Sequence, residues 1–208
     1  MWPWEHAVVG YLAYSLFSHL YYRESPGGLE AFAVVFASVL PDIIDKPLAW
    51  EYGIFDTGYA LGHSIFFAIP LAIVGGVIAR SFGRAKAGLA FAIGYLIHLP
   101  SDVLYHYVTG STVGWELMLW PVQSAPPSGH SHDFTSYFSQ LFSGYQEELL
   151  SGDLSTYLWV QLGVAIFTAL LWLYDGAPVL RESLVGLKRV LVSVVRTVSG
   201  RGNLREQP

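Results

Sequence analysis

GYLIHLPSDVLYHYV, residues 94–108, lies in a stretch whose apolar content otherwise suits a membrane span. Within it His98, Asp102 and His106 recur every fourth residue, so they share one stripe of an α-helix. An ionisable side chain at membrane depth costs roughly 2.5 kcal/mol or more on insertion scales. A stripe of them calls for a common partner.

The rest of the 208-residue chain is apolar in the same way. It is 53% hydrophobic and 13% charged, where an ordinary soluble domain is about 25% charged. Several apolar runs approach the roughly 20 residues that cross a bilayer. These features predict an all-α, polytopic membrane protein embedded in the lipid bilayer. Five spans are expected, at about 6–22, 29–44, 60–80, 86–108 and 155–174. The second is short, which leaves it nearly upright or ending in a re-entrant turn. The chain contains no cysteine, which excludes disulfides, thiolate metal ligands and cysteine nucleophiles. A net charge of −5 offers no basic surface for nucleic acid outside a short C-terminal stretch. MWPWEHAVVG lacks the basic start of a cleavable signal peptide, so the first span is expected to be retained.

Lys and Arg orient the spans. Arg80, Arg84 and Lys86 crowd the link between spans three and four, and six further basic residues follow span five, from Arg181 to Arg205. Residues 109–154 carry no Lys or Arg. The positive-inside rule places the 81–86 link and the C-terminus in the cytoplasm, and the 109–154 segment and the N-terminus outside, in the cell (inner) membrane. Lys46 alone breaks this pattern. Residues 1–175 then form the membrane domain, with WELMLWP and FTSYFSQLF in 109–154 as an outer anchor or lid. Residues 176–198 read as a cytoplasmic amphipathic helix, on the leaflet or on a partner, and 199–208 as a tail.

With this topology His6, Asp42, Asp45, His63, His98, Asp102 and His106 converge on the outer face from four spans. His19 lies about 20 Å further along the first helix and is excluded. Imidazole plus carboxylate is the ligand set of Zn²⁺, Mn²⁺ or Fe²⁺. So many ligands suit two ions better than one. Pro100 is expected to kink the fourth span beside the stripe. His130, His132 and Asp133, in SGHSHDF, are additional candidates on the outer segment. No G-x-S-x-G elbow is present, which argues against a serine hydrolase.

HAVVGYL, LPDIIDKP, GHS and GYLIHLPSD followed by LMLWP occur in that order between residue 6 and about residue 121. The ordered set resembles the YdjM-like membrane-bound metal-dependent hydrolases, also described as LexA-binding, inner-membrane-associated hydrolases. More faintly it is similar to the zinc-dependent phospholipases C. The resemblance implies a helical membrane fold with a divalent-metal site at His6, Asp42, His63, His98 and Asp102. Three departures stand out. The second aspartate, Asp45, comes three residues after the first instead of two, Lys46 replaces the histidine usual after it, and the H-R-G that precedes T-H-S is absent.

The expected function is therefore a membrane-embedded metal-dependent hydrolase with one or two ions of Zn²⁺ or Mn²⁺. It would cleave a phosphoester of a lipid or other membrane-delivered small substrate at the outer face. Asp45 would bridge the ions or act as general base, and His106 would be a ligand or proton donor. The alternatives are a divalent-cation transporter or its accessory, and a metal-stabilised membrane protein without turnover.

Overall fold

The computed structural model describes residues 1–112, 114–127 and 133–198. Among them the chain forms α-helices and no strand: α1 (Pro3–Phe17), α2 (Gly28–Trp50), α3 (Ile65–Ser81), α4 (Ala85–Val108), α5 (Phe134–Ser151), α6 (Thr156–Tyr174) and α7 (Leu180–Val198). A π turn, Ser18–Tyr22, extends α1, and a 3-10 turn, Trp115–Met118, follows α4. The fold is all-helical, as the sequence predicts.

Local chemistry sets the helix ends. Pro3 opens α1, where its missing amide has no partner to lose. Glu30 accepts the Gly27 amide at the start of α2. Asp133 and Ser155 accept the Ser136 and Leu158 amides as N-caps of α5 and α6. Gly152, at φ 75°, ends α5 in the left-handed region that glycine adopts freely.

α2 and α4 form the central pair, with α1 against both, α3 along α4 and α6 along α1. The pair closes until backbone meets backbone. A Cβ at Gly94 would lie 2.3 Å from the Val34 carbonyl oxygen. Tyr95, Leu99 and Leu117 fill one small core beside this contact, and Tyr11, Tyr14 and Val34 another. Leu117 and Met118 of WELMLWP therefore pack inward, while Trp115 remains on the surface.

The outer surface is greasy. Ile69, Ile73, Val74 and Val77 on α3, and Phe167, Leu170 and Leu173 on α6, are exposed. Apolar surface of this extent marks contact with lipid or a partner. By length and composition, α4 and α6 are long and apolar enough to cross a membrane. α3 is apolar but has only 17 residues. Of the five spans drawn from the sequence, two thus pass both tests, and the rest correspond to α1, α2 and α3.

Two elements depart from the sequence reading. α2 does not stop near residue 44 but continues to Trp50 through Pro41 and Pro47. The Asp42–Lys46 ion pair, one turn apart, bridges the stretch where the sequence predicts its end. α3 starts at Ile65, not at 60, because the amides of Ala60, Gly62 and His63 are committed to the Asp45 carboxylate. α4 stays one helix through Pro100. The expected tail, 199–208, lies outside the described residues.

Gly94→Ala is expected to force α2 from α4 and to destabilise the protein by about 1–3 kcal/mol, the usual cost of overpacking. Gly144→Ala on α5 has open space around its Cβ and is expected to leave stability unchanged or slightly raised. Thermal unfolding of the two variants in detergent checks the contrast.

Candidate metal centre

Four chain segments deliver the site. His6 comes from the first turns of α1, Asp42, Asp45 and Lys46 from α2, His63 from the link before α3, and His98, Asp102 and His106 from α4. His6, Asp42, Asp45, His63, His98 and Asp102 are each 3% exposed or less. Buried charge on this scale is costly unless it is paired or holds a cation.

Asp45 organises the link. Its carboxylate accepts the amides of Ala60 at 2.7 Å, Gly62 at 2.7 Å and His63 at 3.0 Å. It also lies 2.8 Å from His63 Nδ1. Gly62 is required here: a Cβ would come within 2.8 Å of the Pro41 carbonyl oxygen. Tyr95 closes the arrangement, donating to the Gly62 carbonyl at 2.7 Å.

The tautomers follow from the acceptors. His98 Nδ1 lies 2.6 Å from the Ser38 carbonyl oxygen, which can only accept, so Nδ1 carries the proton. The same reasoning gives His63 Nδ1 a proton for Asp45. Both Nε2 lone pairs then turn inward, 3.0 Å from each other. His63 Nε2 is 3.4 Å from Asp42 Oδ1 and 3.3 Å from Asp102 Oδ2, and His98 Nε2 is 3.3 Å from the latter. His6 stacks on His98 with ring centroids 3.6 Å apart, its Nε2 3.2 Å from Asp102 Oδ1. The centre is thus a set of acceptors facing one another.

Such a set needs a positive charge. Both ring nitrogens of His6, both oxygens of Asp42 and Oδ2 of Asp102 are buried without a hydrogen-bond partner. The cations that reach the cluster do so at its rim. Lys46 Nζ stands 2.7 Å from Asp42 Oδ2, as an ion contact rather than an aligned hydrogen bond. The Met1 amino group donates to Asp102 Oδ1 at 2.8 Å.

His6, Asp42, His98 and Asp102 could hold a metal ion, each offering a ligand atom within 4.8 Å of the others. Ligands about 2.1 Å from one ion are at most about 4.2 Å apart, so the group would tighten slightly around it. The hydrogen bonds of His63 to Asp45 and of His98 to Ser38 are of the kind that orient imidazoles for a cation.

A cavity of about 600 Å³ opens beside the cluster. Asp42, Lys46 and His106 reach it, and Trp2, Trp50, Tyr59, Tyr105 and Tyr145 are among its walls. Phe138 and Leu141 of α5 close one side. His106 Nδ1 engages the Asp102 carbonyl at 3.0 Å, one turn back.

Other sequence candidates lie elsewhere. Asp133 is exposed and occupied in capping α5. His130 and His132 lie outside the described residues. His19 sits at the far end of α1, 2.7 Å from Asp175, whose carboxylate also accepts from Tyr11 and Ser15. That cluster ties α6 to α1. The Ser38 carbonyl left no sequence signal. Lys46 did, as the one basic residue that breaks the charge pattern of the sequence.

An all-helical protein with greasy outer helices and a buried His/Asp centre is, by class, an integral membrane protein with a candidate cation site. A family profile described as "YdjM inner membrane protein" matches residues 1–179. The chain belongs to this family, and a place in the cell membrane fits. No curated relative and no solved structure matches the chain.

Asp45→Ala removes the acceptor of three amides and the partner of His63. It is expected to lower stability by about 1–3 kcal/mol for each buried amide left unpaired. Metal affinity should fall by about 10–100-fold, as for other lost outer contacts. Asp102→Ala should abolish metal binding with a smaller change in melting temperature. Metal titration and thermal unfolding of both variants separate the two roles.

Proposed function

We propose that the protein is a membrane-embedded, metal-dependent hydrolase that cleaves a phosphoester of a lipid or membrane-delivered substrate at the outer face. One observation carries the reading. A buried centre made of lone pairs, at His6, Asp42, His63, His98 and Asp102, adjoins an aromatic-walled cavity. Zn²⁺ or Mn²⁺ suits this mixture of imidazole and carboxylate. A divalent cation held there would activate water and offset charge on phosphoryl oxygens.

The chain's own groups divide the remaining work. His63 and His98 are held in the ligating tautomer by Asp45 and Ser38. Asp45, with its oxygens engaged by backbone amides, orients rather than reacts. His106 has Nδ1 engaged and reaches the cavity, so its Nε2 is the group for proton transfer to or from the substrate. The apolar walls exclude water and receive the apolar part of the substrate.

We further propose that α1, α2, α3, α4 and α6 all span the membrane, with the N-terminus outside and the C-terminus in the cytoplasm. The basic 81–86 link and α7 then face the cytoplasm, and the centre and α5 face outward.

Metal analysis by mass spectrometry on detergent-purified protein, wild type beside Asp102→Ala, is the deciding experiment. Stoichiometric metal in the wild type, lost in the variant, is expected, with metal-dependent release of phosphate or phospho-headgroup from a lipid panel. Metal without turnover on any phosphoester would sink the hydrolase reading and leave a metal-stabilised membrane protein. A C-terminal tag accessible from outside intact cells would overturn the orientation.

A further inference from the structure

The cluster has an asymmetric rim. Asp42 turns its two oxygens to different sides. Oδ1 faces the inward lone pairs of His63 and His98, at 3.4 and 3.8 Å, and Oδ2 meets the Lys46 ammonium at 2.7 Å. In a two-ion centre, with ions about 3.5–4 Å apart, a carboxylate placed in this way bridges the pair. An ammonium carries charge but has no lone pair, so it cannot ligate an ion and repels one.

Lys46 is also held in place. Its side chain is 15% exposed, one turn along α2 from Asp42, with the ammonium 5.8 Å from the centre of the Trp50 ring. A lysine that served only as a surface charge would extend into solvent. Instead Lys46 borders the cavity and is the one Lys or Arg among its lining residues. Asp42 engages one face of the ammonium, which leaves donors for a second acceptor.

We propose that Lys46 takes the place of a second metal ion. The centre binds one divalent cation, and the ammonium supplies the other positive charge, gripping an anionic oxygen of a group that enters from the cavity. The group it fits is a phosphate ester whose apolar substituent lies against Trp2, Tyr105 and Tyr145. This inference rests on the metal-hydrolase reading and narrows it to a one-metal centre. It also gives Lys46 a role beyond neutralising Asp42.

The test uses full-length protein in detergent, loaded with Zn²⁺, and reads metal content and the binding of hexyl phosphate and inorganic phosphate by calorimetry. Wild type is expected to hold one ion per chain and to bind hexyl phosphate more tightly than inorganic phosphate. Lys46→Met should keep its ion but bind hexyl phosphate about tenfold more weakly, the scale of one charge-assisted hydrogen bond. Lys46→Arg should stay within about threefold of wild type, since it preserves the charge. Two ions in the wild type would overturn the proposal. So would unchanged hexyl phosphate affinity in a metal-loaded Lys46→Met, or loss of the ion from that variant, which would reduce Lys46 to support for Asp42. Equal affinity for the two phosphates would remove the apolar substituent from the assignment. A wild type that holds no ion at all would remove the metal-centre reading itself, an outcome distinct from the others.

Discussion

A carboxylate sealed from water must be given donors by the protein around it, and Asp45 is given four. Ala60, Gly62 and His63 offer amides, and His63 offers Nδ1–H. Those bonds keep residues 60–64 out of a helix, delay the start of α3, and demand a glycine at 62, where the chain crosses the Pro41 backbone. They also decide which nitrogen of His63 is bare. Geometry and protonation of the centre are thus set one layer outside it. The close approach of α2 and α4 at Val34 and Gly94 does the same for His98, by bringing the Ser38 carbonyl within reach of its Nδ1.

This outer layer explains how so much ionisable chemistry survives inside an apolar bundle. An isolated buried charge would neutralise itself by shifting its pKa. Here the second nitrogen of two imidazoles and both oxygens of one carboxylate are already satisfied, so the remaining lone pairs cannot turn away to find partners. They point at one another. The Lys46 ammonium and the Met1 amino group meet the Asp42 and Asp102 carboxylates at the rim of the cluster. Preorganised repulsion between such groups is a cost to folding that a bound cation would offset.

Much of this was legible in the sequence. The i, i+4, i+8 stripe of His98, Asp102 and His106 located the centre, because helical periodicity turns spacing directly into shared direction. Basic residues gave an orientation that gathered His6, Asp42 and His63 at the same end. The extent of α2 was not legible, because Pro41 and Pro47 read as an end to a helix that tertiary packing and the Asp42–Lys46 pair carry through. Nor could spacing separate Asp45 from Asp42. Three residues apart on one helix, they share a face, and only the path of the 60–64 link decides which one is consumed by backbone amides. The Ser38 carbonyl was invisible for a simpler reason: backbone acceptors have no letter.

Lys46 shows how a broken rule can carry information. Its position contradicts the positive-inside pattern that every other basic residue in the chain supports. Its local partner is the Asp42 carboxylate at 2.7 Å. The same carboxylate explains why the helix persists there and why the cavity has a basic corner beside an acidic floor. α5 completes the enclosure without a buried residue of its own: Phe138, Phe142 and Tyr145 hold it to the fold through Trp2. Two hydrogen bonds add to these aromatic contacts, from the Phe134 amide to Glu51 at 3.1 Å and from Gln161 Nε2 to the Tyr145 hydroxyl at 3.0 Å. The cluster is thus fixed by buried hydrogen bonds to Asp45 and Ser38, while its cavity side is walled by a helix that buries none of its own residues.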